Sequence, residues 1–381
     1  MTKLPILPPQ SVNVTANTSA PSDDVTVLIN GQAYGGWEDV RITRGVERFP
    51  SDFELRLTDR YPFDVDKLQA KPGDPCVVKI GTDVVVTGFI DALMVSLDPH
   101  RHEITLAGRS KCADLVDCSA EWPGGQILGS SVLQIAQKLC APYGITADAV
   151  DDPGGPIPQF NLMRGESAHD IIDRLCRFRQ LLAYDDVDGN LLLARVSTRS
   201  AASGFRQGIN VLSANVLLSM HDRFSEYRCY AQSVAQFLDV GPGGDLIASS
   251  KLDVYVKRHR LKIIIAESSG GGIDGWNVAA ARAGWEAVRR WGRGHVVRLA
   301  TDSWRDKSGA LYEPNTRVPV DLPSLKVTNQ RWTISEVAYR KGVQGTVCDL
   351  VIMPPEAFDQ PPTVFDSALP AEVALLNLPG E

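Results

Sequence analysis

The sequence predicts a mainly β protein of the α+β class: two related antiparallel β-barrel domains with an α+β domain inserted between them. Three observations carry this. Residues 25–113 and most of 213–355 alternate apolar and polar residues with period two, as half-buried strands do. The middle of the chain switches to helical spacing. One alternating hairpin also recurs at a constant offset: Ile90, Leu93, Val95, Ile104 and Leu106 are echoed by Ile334, Val337, Tyr339, Cys348 and Leu350, 244 residues later in each case.

Residues 1–24 form an extension rich in Pro, Ser, Thr and Asn, with few core formers. The first barrel spans 25–113. "VTVLING" ends in Asn30-Gly31, a turn pair that tolerates positive φ. "VRIT" and "FELRL" alternate, "KPGDPCVVKI" adds a turn and a strand, and two longer runs meet across "DPHRH". The α+β domain covers 114–212, with 250–292 returning to it. Its first helix, in "SSVLQIAQKLCAPYGI", is capped by Ser130 or Ser131 and buries Val132, Ile135, Ala136 and Leu139. Its second starts at Ser167 and Asp170 and buries Ile171, Ile172, Leu175 and Phe178, before a hairpin that turns at Asp188-Gly189. A third helix runs from about Trp276 to Gly292, with Val278, Ala281, Trp285 and Val288 at helical spacing. Residues 213–249 and 293–355 make the second barrel, and 356–381 form a Pro-rich tail. That tail carries Phe358, Phe365 and Leu376, which anchor it either on its own domain or on a neighbouring subunit.

Composition narrows the function classes. The 381 residues are 44% hydrophobic and 22% charged, with a formal net charge of −7, which disfavours a protein that grips nucleic acid by neutralising phosphates. The seven cysteines are scattered, odd in number and lack a C-x-x-C pair, so buried thiols in a reducing cytoplasm are expected rather than disulfides or zinc. The N-terminus has no signal-peptide pattern, and no run approaches the roughly 18 apolar residues of a membrane span.

Each constellation that might carry chemistry falls short. His100 and His102, with Asp98 and Glu103 nearby, sit at a hairpin tip and lack the supported ligand set of a zinc site. "DDVDGN" opens like a calcium loop, but the twelfth position from Asp186 is Ser197 rather than Glu. His169-Asp170 has no distant partners, and "SSGGGIDGWN" lacks the phosphate-loop lysine. Paired carboxylates for glycoside hydrolysis depend on spatial separation, which sequence does not encode. No cofactor or metal is expected. The best surface candidate is the basic-aromatic cluster of Arg282, Trp285, Arg289, Arg290, Trp291 and Arg293, continuing to His295 and Arg298. It suits a protein interface, a helix complementing its own dipole, or a nucleic-acid contact.

"GWEDVRITRGVERFPSDFELRL", "VVVTGFIDALMV", "ITLAGRSKCADLVDCSA", "LQIAQKLCAPYGI" and "DRFSEYRCYA", in this order, resemble the baseplate hub proteins of Mu-type phage tails over roughly residues 25–355. That family is similar to the T-even phage hub and to the first part of the VgrG spike proteins. The resemblance implies a structural homotrimer, a ring whose two barrels per subunit match a six-fold tail tube on one face and a three-fold central spike on the other. It implies tail-tube, tube-end, spike and other baseplate partners, passage of DNA without specific binding, no membrane, and a place in the virion after synthesis in the host cytoplasm. "DPHRH" then becomes a hairpin tip on a ring. The alternatives are a tail-associated cell-wall hydrolase, a VgrG-like spike component of a contractile injection or secretion system, or a receptor-binding β protein.

Overall fold

Turn chemistry and alternation set the first strands. β1 (Val25–Ile29) reverses into β2 (Gln32–Tyr34) through Asn30 (φ 50°) and Gly31 (φ 83°), the left-handed pair that a two-residue hairpin turn requires. β3 (Asp39–Gly45), β4 (Asp52–Thr58), β5 (Pro75–Ile80), β6 (Asp83–Leu97) and β7 (His102–Ser110) follow, all antiparallel to their neighbours. The computed structural model describes residues 23–58, 69–98, 102–122, 124–232, 246–265, 273–343 and 345–358.

The middle of the chain holds α1 (Ala113–Asp117), β8 (Gln126–Ser130), α2 (Val132–Cys140), β9 (Ala147–Ala149), β10 (Ile157–Asn161), α3 (Ala168–Arg179), β11 (Leu182–Asp185) and β12 (Leu191–Ala194). Ser131 caps α2 in a reciprocal box: its Oγ accepts from the Gln134 amide at 3.2 Å, and the Gln134 side chain accepts from the Ser131 amide at 2.9 Å. Ser167 caps α3 by accepting from the Asp170 amide at 3.1 Å. Val132, Ile135, Ala136 and Leu139 of α2 meet Ile171, Ile172 and Leu175 of α3 in one core, as their spacing predicts.

This unit is tied to the sheet by its hairpin turn. Buried Asp185 accepts from the Ser51 amide at 3.2 Å and from the Ser51 hydroxyl at 3.0 Å. Burial pushes its carboxyl pKa up, and the Arg44 guanidinium opposes that shift. Gly189 (φ 73°) lies so close to β6 that a Cβ would stand 2.3 Å from the Thr87 carbonyl oxygen. Asp185→Ala would leave two buried donors of Ser51 without an acceptor, an expected cost of about 1–3 kcal/mol. Urea denaturation would measure it, and an unchanged midpoint would refute the role of this link.

The last part comprises β13 (Phe205–Arg206), β14 (Ser213–Leu218), β15 (Glu226–Gln232), β16 (Leu246–Leu252), β17 (Leu261–Ile265), α4 (Ile273–Arg293), β18 (His295–Thr301), β19 (Arg317–Leu322), β20 (Val327–Gly342) and β21 (Gly345–Met353). β15, β16 and β17 form a small sheet of their own, and α4 packs on it. β16, β17 and α4 therefore group with β15 rather than with the 114–212 unit. The buried stripe of α4 is Ala279, Ala283 and Ala287, against Tyr227, Cys229 and Ile264, whereas Ala281 and Val288 are exposed. Small residues at every fourth position let the helix approach the sheet closely. A stripe of larger side chains is thus not what faces inward.

Two separate closed barrels are not what forms. Among the described residues the order is β14-β18-β21-β20-β3-β4-β7-β6-β5-β1-β2, a single open sheet with β19 and β13 branching from β20. β20 is 16 residues long: β19 covers the edge of its first part, and β3 covers the same edge from Glu336 to Lys341. Pairing β3 with β20 satisfies two edges that separate barrels would have to close elsewhere. The two halves consequently share one core, which runs from Val27 and Leu106 to Val318 and Ile352.

The echo nevertheless corresponds to a structural repeat. β3-β4-β7-β6-β5 and β14-β18-β21-β20-β19 have the same pairing order. Leu93 opposes Leu106 as Val337 opposes Leu350, and Val95 opposes Ile104 as Tyr339 opposes Cys348. The ladder shifts after Ile90 in one unit and after Ile334 in the other. It shifts again after Val78 and after Val320. The one large difference lies between β14 and β18, where the β15–β17 sheet and α4 replace a short turn.

Candidate functional site

The sheet has one apolar face, turned to the core, and one charged face. Strand alternation puts Asp39, Arg41, Asp52, Glu54, Arg56, Glu103, Arg109, Glu336, Arg340 and Asp349 on the charged side, with Asp91 at the bulge of β6. The charges cancel across strands. Arg41 reaches Asp52 at 2.8 Å and Glu54 at 3.2 Å; Arg56 pairs with Asp39 and with Glu103 at 3.1 Å. Arg109 is held between Asp91 at 2.5 Å and Asp117 at 2.7 Å, and Arg340 meets Asp349 at 2.8 Å. The hydrogen bonds that Arg109 donates to Asp117 and Asp91 push its pKa up, and Arg109 in turn holds the Asp117 carboxyl below its usual range. Arg48 carries the network across the β3–β20 seam, to Asp52 and, at 3.6 Å, to Glu336. Half-exposed pairs of this kind contribute about 0–1 kcal/mol each to stability. Their larger effect is on the surface, since each of these arginines already faces a carboxylate.

The predicted Arg-Trp cluster does come together, on the C-terminal half of α4, and much of it engages its own chain. Arg282 stacks over Trp285 at 4.3 Å, with Arg289 at 5.4 Å from the same ring. Arg289 and Arg293 converge on Glu47, in the β3–β4 turn. Arg290 bonds Glu286 at 2.6 Å and the Asp222 carbonyl at 3.1 Å. Trp291 packs on His295, their ring centroids 4.7 Å apart. Leu217, Trp285, Arg289, Arg290 and Arg293 line a groove of about 390 Å³ between α4 and the end of β14. Phe358 is buried with Val46, Leu182, Val296 and Met353, so at that point the chain packs on its own core. Phe365 and Leu376 lie outside the described residues.

The candidate chemical sites are occupied by structural contacts. His169 stacks on Phe49 at 4.6 Å, and burial lowers its pKa. The Asp186 carboxylate of the calcium-like loop accepts from the amides of Asp188 at 2.9 Å and Asn190 at 2.8 Å, as a turn does. His100 lies outside the described residues, and Glu103 is bound to Arg56. Among the described residues no group of three His, Cys, Asp or Glu is placed to hold a metal ion. Burial pushes the thiols of Cys76 and Cys140 up to about 12, which keeps them protonated and poor as nucleophiles or ligands.

Sequence reasoning passed over the charged face. Its signal is present in "DVRITRG" and "DFELRLT", where every second residue is charged or polar, but the cross-strand matching of signs depends on register.

Three family descriptions match in succession: "Mu phage baseplate assembly protein GpP-like, N-terminal" over residues 24–110, "Baseplate hub protein gp44-like, second domain" over 112–195, and "Mu phage baseplate assembly protein GpP, fourth domain" over 276–361. The baseplate hub protein gp44 of Escherichia phage Mu is 32% identical over 326 residues, 83% of each chain. The 43 kDa tail protein of prophage MuSo2 from Shewanella oneidensis is similar with a TM-score of 0.79 and 29% identity, covering 88% of this chain and all of the other. A tail protein from Neisseria meningitidis MC58 has the same fold, with a TM-score of 0.71 at 19% identity, over 88% of this chain and 98% of its own.

Proposed function

Since this chain belongs to the Mu-type baseplate hub family, and is a structural protein of the phage tail baseplate rather than an enzyme, we propose that three copies close into a ring that joins a six-fold tail tube to a three-fold central spike. The observation that carries this reading is the repeat within one chain. Two units with the same strand pairing, joined by the β3–β20 seam, let three chains offer six similar units to a six-fold neighbour. The first unit lies in 25–113, the inserted α+β unit in 114–212, and the second unit consists of β14 and β18 to β21, within 213–218 and 295–353. Other baseplate proteins surround the ring in the virion, and the chain is synthesised in the host cytoplasm.

The charged face of the sheet lines the lumen in this reading. Three chains carry about −21 formally, three times −7, which repels a polyanion in bulk. On the lumen wall, arginines already matched by carboxylates leave phosphate little to hold, so DNA passes without being retained. The Arg-Trp cluster of α4 and the tail residues Phe365 and Leu376 face neighbouring protein. Light scattering is expected to give a mass about three times the 41.5 kDa of one chain. A chain that stays monomeric at tens of micromolar, with spike protein added as well as without, would overturn the ring.

A further inference from the structure

The groove between α4 and β14 differs in charge from the sheet face. On the sheet, Arg41, Arg56 and Arg109 each meet two carboxylates. At the groove the ratio is reversed. Arg289, at 3.3 Å, and Arg293 share the carboxylate of Glu47; Arg290, at 2.6 Å, and Arg282, at 4.0 Å, share that of Glu286. Asp222 is the other acid on the wall. Burial lowers the Arg289 pKa, and the charges of Arg293 and Arg177 add to that effect. The groove is also apolar: Trp285 is half-buried in its wall, and Leu217 is 46% exposed. Its chemistry suits a segment that brings carboxylates and an apolar side chain together.

The chain leaves the described residues beside this groove. Pro355–Phe358 pack on the last turn of α4, where a Cβ at Gly292 would stand 2.4 Å from the Ala357 amide nitrogen. Phe358 is buried with Val46, which directly precedes Glu47. Residues 359–381 contain Asp359, Asp366, Glu372 and Glu381 and no Lys, Arg or His. Phe365 directly precedes Asp366, seven positions beyond Phe358. Seven extended residues span up to about 23 Å. The wall from Arg293 back to Trp285 is eight residues of helix, about 12 Å. The tail therefore reaches the groove of its own chain.

We infer that, before baseplate assembly, residues 359–381 lie across the groove of their own chain, with Phe365 against Trp285 and Leu217, and with Asp359 and Asp366 among Arg289, Arg290 and Arg293. The carboxylates offset the crowded guanidinium charge through charge-assisted hydrogen bonds. The Phe365 ring removes the apolar wall from water. A tethered segment meets its site at an effective concentration on the order of millimolar. Weak contacts then suffice, and at micromolar protein a chain's own tail outcompetes the tail of another copy. The docking rests on the reading above, in which the cluster and the tail face neighbouring protein once the baseplate is built. Until a neighbour offers stronger contacts, the tail keeps the Arg-Trp cluster covered.

Two measurements on the full chain test the docking. Leu217→Cys with Phe365→Cys should form a disulfide within one chain under mild oxidation, seen as a monomer band of raised mobility on a non-reducing gel. Neither single variant should give it, nor should Phe365→Cys with Val343→Cys, at the exposed tip of the β20–β21 hairpin. A fluorescent peptide of residues 359–381 should bind the Phe365→Ala, Asp366→Asn chain at least about tenfold more tightly than the parent, whose own tail fills the groove. Adding Arg289→Gln and Arg293→Gln to that chain should abolish the binding. Covalent dimers or trimers from the Leu217 pair would place the tail on another copy and overturn docking on its own chain. No intrachain band, an equal band from the Val343 pair, or equal peptide binding by parent and variant would overturn it too. Light scattering separates the two readings: a trimer without the band sinks the docking alone, and a monomer with the band sinks the ring alone.

Discussion

Trp304→Ala is expected to cost about 3–5 kcal/mol, the range for removing a large aromatic side chain from a packed core. Trp304 is wholly buried where the two halves of the sheet share their interior. Its ring lies edge-on to Tyr339 at 5.9 Å, and its Nε1–H donates to the Val347 carbonyl at 2.9 Å. The Tyr339 hydroxyl donates in turn to the Tyr312 carbonyl, so one deletion opens a void beside two buried polar contacts. Tyr339 also stands on β20 opposite Ile42, so the loss falls on the seam that joins the repeats. Against a total stability of about 5–15 kcal/mol for a typical protein, this is a large fraction. The urea midpoint should fall steeply. Val343→Ala, at a fully exposed site, should move it by no more than about 0.5 kcal/mol. A Trp304→Ala loss below 1 kcal/mol would show that the halves do not depend on a common core.

The second large effect is electrostatic. Glu54→Gln, Asp91→Asn, Glu103→Gln and Asp349→Asn together remove one carboxylate from each of Arg41, Arg109, Arg56 and Arg340. The net charge rises by four per chain, and the fold should survive, because surface pairs of this kind are worth about 0–1 kcal/mol each. The assembled variant is expected to bind duplex DNA at low salt where the parent protein does not. Log affinity should fall with log salt by about 0.9 per phosphate engaged. Equal and negligible DNA binding by parent and variant would mean that matched charge is not what keeps the lumen from holding DNA. Sub-micromolar, salt-sensitive binding by the parent itself would overturn the non-gripping lumen directly.

Much of the fold was legible because its signals are local. Ser131 and Ser167 announce helix starts through side chains that reach only three residues onward. Asn30-Gly31 and Gly189 mark turns because few residues adopt positive φ without strain. The echo from Ile90 to Ile334 reflects a duplicated hairpin, and its shared ladder shift confirms the equivalence residue by residue. The ordered motifs of the baseplate hub family were equally readable along the chain, and with them the absence of a catalytic role.

What depended on the tertiary structure were the pairings between distant strands. Alternation says that Val40 and Tyr339 face a core, and it does not say that β3 and β20 share an edge, which turns two expected barrels into one open sheet. Helical spacing marked Ala281, Trp285 and Val288 on α4, but the partner sheet selects Ala279, Ala283 and Ala287, because a close approach favours small side chains over hydrophobic ones. The charges of Arg41, Arg56 and Arg109 are visible in the sequence. Their cancellation by Glu54, Asp39 and Asp91 follows only from register, which depends on how the whole sheet packs.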